Sequence, residues 1–150
     1  GGDFEAVLAE YRDWYQTHNC VATAPYPGIP ALLAALAKAG IKTAVVSNKP
    51  DATTKTLAAR FFPGLPAFGQ RDDVPPKPAP DLVFRALETL GVDAADAIYV
   101  GDSEVDVATA RNAGLPLAAV SWGFRGRRAL AEAGAAVIVD TAAELLEVLR

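Results

Sequence analysis

Methionine is missing from all 150 residues, position 1 included, and the chain opens on Gly1-Gly2. Translation needs a start residue, so the expectation is an N-terminus that has been processed or trimmed. Cysteine is reduced to Cys20, which excludes an internal disulfide and suits a reducing compartment. Histidine is reduced to His18, with no Cys or acid at metal-ligand spacing, which favours a structural or exposed role. Although 51% of the residues are hydrophobic, no run approaches the roughly 18 apolar residues of a membrane span. A signal-peptide pattern is also missing, so a cytoplasmic address with no membrane partner is the default expectation. Basic excess is lacking as well: the formal charge is −4, whereas nucleic-acid binding usually shows a basic face. A small anionic substrate stays compatible, because one local cation can outweigh a modest global charge. The length suits one ordinary domain with a sizeable core, and oligomeric state is not readable from it.

What is present alternates. Over 3–19, Phe4, Val7, Leu8, Tyr11, Trp14 and Tyr15 recur at three- and four-residue spacing, predicting an amphipathic helix capped by Asp3. Pro25-Tyr26-Pro27-Gly28-Ile29-Pro30 cannot continue a helix and reads as a rigid boundary, dividing 1–24 from 25–150. Beyond it, helices are expected at 30–38, 51–61, 81–90, 104–113, 127–133 and 141–149. Strands are expected between them at 41–46, 67–68, 97–100, 116–120 and 135–139. Such alternation implies an α/β fold, a parallel sheet with helices on both faces.

Residues 96–106, Asp-Ala-Ile-Tyr-Val-Gly-Asp-Ser-Glu-Val-Asp, carry the strongest local signal. The apolar run 97–100 reads as a buried strand that breaks at Gly101 into acids. Open α/β sheets bind ligands outside the carboxyl ends of their strands, so Asp102 stands where chemistry is expected. Asp106 follows at i+4, on the same face if a helix starts here. Two convergent carboxylates without a nearby His or Cys favour a hard cation such as Mg²⁺ over zinc. Capping of a helix start by solvated acids is the competing reading. Ser47-Asn48, at the end of another strand, offers a hydroxyl and an amide suited to a phosphate oxygen, or simply marks a turn. Lys77, held between Pro76 and Pro78, presents a point charge from a stiff loop, or is one more solvent-exposed lysine.

Taken in order, Val-Val-Ser-Asn-Lys (45–49), Lys-Pro-Ala-Pro-Asp (77–81) and Val-Gly-Asp-Ser-Glu-Val-Asp (100–106) resemble three motifs of the haloacid dehalogenase superfamily. The closest subgroup is similar to the phosphoglycolate phosphatases, and the resemblance runs over about residues 4–150. It implies a Rossmann-like three-layer core and a Mg²⁺-dependent phosphomonoesterase acting on a small phosphorylated metabolite. It further implies that Ser47, with Asn48, binds the transferring phosphoryl group, and that Lys77 neutralises its charge. Asp102 becomes a Mg²⁺ ligand, with Asp106 beside it in the metal site, holding Lys77 or a metal-bound water. Residues 3–20 would be the last helix of a helical cap, so 1–24 reads as cap remnant and linker, and 25–150 as the hydrolase core.

One departure limits that implication. The superfamily's nucleophile and acid/base stand in an Asp-x-Asp-x-Thr motif after the first, central strand, and Asp-x-Asp occurs nowhere in this chain. The expectation is therefore a fragment, with that strand and most of the cap upstream of Gly1. The alternative is a non-catalytic phosphate-binding or regulatory module. A phospho-acceptor receiver domain fails on order, because receivers place their acids before the hydroxyl and the lysine. A metal-free dehalogenase is disfavoured by the acid retained at Asp102.

Overall fold

The computed structural model describes residues 6–7 and 23–150. The helix expected over 3–19, and the cap remnant with it, thus lies outside the described residues, apart from Ala6 and Val7, which are helical. From Ile29 onward six α-helices and five strands alternate among the described residues. Helix α1 (Ile29–Lys38) begins after Gly28, whose φ of 83° makes the left-handed turn that glycine tolerates, with Pro30 in its first turn. Strand β1 (Val45–Pro50), α2 (Asp51–Phe61) and β2 (Ala67–Gln70) follow. Helix α3 (Asp81–Leu90) ends on Gly91 and α4 (Glu104–Ala113) on Gly114, both left-handed caps, with β3 (Tyr99–Gly101) between the helices. Strand β4 (Leu117–Val120), α5 (Gly126–Glu132), β5 (Ile138–Val139) and α6 (Ala142–Val148) complete the chain.

All strand pairs are parallel, as the alternation implies. Val45 of β1 lies opposite Ala67 of β2, Tyr99 of β3 opposite Leu117 of β4, and Ala119 opposite Ile138 of β5. Period-two patterning sorts the β4 side chains between two helical layers. Ala118 and Val120 pack with Leu32, Leu36 and Leu145 of α1 and α6. Ala119 packs on the other side with Val107 of α4 and Leu130 of α5.

Two expected strands are displaced, for different reasons. The strand expected at 41–46 pairs only from Val45 onward, because β2 begins at Ala67, directly opposite. The strand expected at 135–139 shrinks to Ile138–Val139, since the Ala135 N–H closes the end of α5 by donating to Leu130.

The ladders do not join. Among the described residues β1–β2 and β3–β4–β5 form separate sheets. Val45 and Val46 of β1 and the segment 98–100 line one groove of about 710 Å³, walled by Leu32, Leu36, Val83 and Leu87. Ile98 and Val100 are 37% and 40% exposed, high for apolar residues in a strand flanked by helices. No helix of the described residues is long and apolar enough to cross a membrane.

Candidate active site

A smaller cavity of about 250 Å³ lies at the carboxyl end of β3, lined by Val46, Lys77, Tyr99, Gly101, Asp102 and Asp106 among others. Three of the residues singled out from the sequence, Lys77, Asp102 and Asp106, therefore meet there. The Lys77 ammonium donates to Asp106 Oδ1 at 2.8 Å and to the Tyr99 hydroxyl at 3.3 Å. Tyr99 OH in turn donates to the same Asp106 oxygen at 3.1 Å. The other oxygen, Oδ2, accepts from Ser103 Oγ at 2.7 Å and from the Asp102 N–H at 3.2 Å.

With two donors on each oxygen, Asp106 holds Lys77, one of the two roles the resemblance implies for it. Burial by itself pushes the Asp106 carboxyl up, but the Lys77 charge and these hydrogen bonds outweigh it and hold the group below its usual range. Tyr99 goes the other way, its phenol raised by burial and then by the neighbouring Asp106 charge. It stays protonated and acts as a donor.

Asn48 reaches the site through the chain rather than through open space. Its side-chain amide donates to the Lys77 carbonyl at 3.0 Å and accepts from the Lys77 N–H at 2.8 Å. Its side chain pins the backbone of Lys77, so that residue is gripped at both ends. Ser47, next to Val46 of the cavity wall, uses its hydroxyl oxygen to accept from the Lys49 N–H at 3.1 Å. Its O–H has no acceptor among the described residues.

Asp102 differs from Asp106. Its Oδ2 accepts from the Phe124 N–H at 2.8 Å, while Oδ1 has no partner among the described residues. Gly101 is needed for this packing, since a Cβ there would overlap the Asp106 side chain.

Tyr99, Ser103 and the Phe124 N–H escaped the sequence reading. Ser103 was findable: it is the N-cap of α4, and Ser-x-x-Asp just ahead of an apolar stretch is a capping-box-like spacing. Nothing in one sequence announces a backbone N–H from a loop 22 residues away.

Residues 4–114 match the family model of the haloacid dehalogenase-like hydrolases. The chain belongs to that family. An N-acetylmuramic acid 6-phosphate phosphatase of Pseudomonas aeruginosa is 35% identical over 98% of the chain and 67% of its own length. A phosphoglycolate phosphatase of Rhodospirillum rubrum is 36% identical over 94% of the chain and 59% of its own length. Among solved structures, a protein of Lactobacillus delbrueckii subsp. bulgaricus provisionally assigned as a phosphoglycolate phosphatase superposes with a TM-score of 0.91 at 41% identity. That match covers 95% of this chain and 61% of the other. The chain thus spans about three-fifths to two-thirds of the length of these haloacid dehalogenase-like relatives.

Proposed function

We propose that this chain is the main part of a cytoplasmic, Mg²⁺-dependent phosphomonoesterase for a small phosphorylated metabolite. N-acetylmuramic acid 6-phosphate and phosphoglycolate, the substrates named for its relatives, are the first to test. The observation that carries the reading is Lys77, whose ammonium is clamped at 2.8 Å to Asp106 in a cavity that Asp102 also lines. Phosphoryl transfer depends mainly on positioning and on neutralising charge over the transferred oxygens. Lys77 neutralises those oxygens from a fixed point, and the Ser47 hydroxyl donates to one of them. Asp106 and Tyr99 keep the ammonium aimed, and Asn48 keeps its loop in place.

A hard cation fits the donor set in part. Asp102 Oδ1 is a free carboxylate oxygen, and Mg²⁺ is held by one or two carboxylates completed by waters and substrate phosphate. Among the described residues no cluster of three or more His, Cys, Asp or Glu side chains exists, so Asp102 is the one protein ligand assigned. When bound there, the ion supplies charge stabilisation and orientation of the phosphoryl group.

The attacking group is assigned to a segment outside these residues. Ser47 has no adjacent base, and the Tyr99 phenol is raised and committed to Asp106. A parallel strand seated between β1 and β3 would fill the apolar groove, pair both open edges and end beside Lys77. An Asp-x-Asp-x-Thr at the end of that strand would bring the nucleophile and one further acid into the cavity. The greater length of the relatives supports this placement. The second reading, a phosphate-binding module without turnover, is favoured by the lack of any Asp-x-Asp in the chain.

Phosphate release separates the two. The 150-residue chain alone is expected to be inactive, and the chain extended by its upstream segment to hydrolyse phosphomonoesters in an EDTA-sensitive way. An extended protein that binds phosphate without releasing it establishes the module reading. Robust EDTA-sensitive release from the 150-residue chain alone would falsify the assignment of the nucleophile.

A further inference from the structure

The segment between β4 and α5, Trp122-Gly123-Phe124-Arg125, is tied to the first residues after β3 at three points. Besides the bond from the Phe124 N–H to Asp102 Oδ2, the Arg125 N–H donates to the Asp102 carbonyl at 3.3 Å. The Arg125 guanidinium grips Glu104 with a fork of 2.6 and 2.9 Å. Gly123 closes the arrangement, because a Cβ there would overlap Asp102 Cβ, Cγ and Oδ2. Its φ is not in the left-handed region, so the backbone itself would accept alanine. Only the contact with Asp102 requires glycine.

We propose that this loop positions Asp102 as a one-oxygen ligand, through the Phe124 N–H and the bare Cα of Gly123, and so favours Mg²⁺ over Ca²⁺. The inference rests on the reading of Asp102 as the cation ligand. A carboxylate with one oxygen committed to a backbone N–H offers only the other. Mg²⁺ takes single oxygens in a tight octahedron, whereas Ca²⁺ uses six to eight oxygens and draws readily on bidentate carboxylates. The loop supplies the hydrogen bond that fixes the ligand before the ion arrives, as outer-shell partners of metal ligands do. Gly123 and Phe124 are positioning residues here, since neither touches the ion.

The test uses the isotope-labelled chain, titrated separately with MgCl₂ and CaCl₂ and read by amide shifts of residues 101–106 and 121–126. The wild type is expected to give a saturable Mg²⁺ shift that Asp102→Asn abolishes. Gly123→Ala should weaken Mg²⁺ by about 10- to 100-fold, the usual loss for an outer-shell change, and Ca²⁺ by clearly less. Unchanged Mg²⁺ affinity, or equal losses for both ions, overturns the inference while leaving Asp102 as the ligand. A Mg²⁺ shift that survives Asp102→Asn, or no saturable shift in the wild type, overturns the underlying reading instead. If Gly123→Ala does not fold, Arg125→Ala removes the exposed fork to Glu104 and must lower the Mg²⁺/Ca²⁺ ratio in the same direction. An unchanged ratio in that variant counts against the loop.

Discussion

At the scale of single residues, the pair Lys77–Asp106 governs the site. The two side chains are only 13% and 7% exposed, so removing one partner strands a buried charge rather than a solvated one. Lys77→Ala is expected to destabilise the chain by about 3 kcal/mol at neutral pH, the low end for breaking a buried pair. The pH dependence has a definite sign. Asp106 titrates below its ordinary value in the folded chain, so its contribution is full above the unfolded carboxylate value of about 3.9 and is lost as pH falls through the folded one. In Lys77→Ala, burial is opposed only by the hydrogen bonds from Tyr99, Ser103 and the Asp102 N–H, and the penalty should shrink on acidification as Asp106 takes up a proton. Urea unfolding of both proteins from pH 7 down to pH 3 checks this. A penalty that does not change with pH would mean the pair is not the source of the loss.

At the scale of elements, the strand–helix units are set by local chemistry and trimmed by their neighbours. Helix α6 shows the local part. Thr141 is its N-cap, accepting from the Glu144 N–H at 3.2 Å, while Glu144 reaches back to accept from the Asp140 N–H at 2.9 Å. Thr141→Ala is expected to cost about 1 kcal/mol in thermal or urea unfolding, the ordinary loss of a side-chain cap. Cation binding should be untouched, because Thr141 is not among the residues of the Asp102 cavity. The same Ser/Thr-x-x-acid spacing at Ser103 serves twice, capping α4 and holding Asp106. Substitution at Ser103 should therefore affect both stability and cation affinity, unlike Thr141.

For the whole molecule, the apolar groove between the two ladders is the dominant feature. Two open strand edges and exposed Ile98 and Val100 invite pairing with any available strand. The 150-residue chain is expected to self-associate and to bind a hydrophobic dye. Extension by a segment carrying the proposed central strand should suppress both and raise Tm. Sedimentation velocity and dye fluorescence of the two proteins decide it. A monomeric, dye-silent short chain would show that the groove closes by another route.

Much of this was legible in the residues themselves. Periodicity and glycine caps placed α2, α3 and α4, because their boundaries depend on local backbone chemistry at Asp51, Gly91 and Gly114. The order hydroxyl, lysine, acid carried the family, because each group follows a strand end. Strand limits were not legible, since β1 begins where its partner β2 begins, far along the chain, and β5 is shortened by the close of α5. The division of labour between the two acids was legible only through the family resemblance, which implied a Mg²⁺ ligand at Asp102 and a hold on Lys77 or a metal-bound water at Asp106. By spacing alone they are the same residue type four residues apart. Only the folded chain brings Lys77 and Tyr99 to one and the Phe124 N–H to the other, because hydrogen-bond partners are chosen by proximity in space. That leaves one carboxylate saturated and the other with an oxygen to offer.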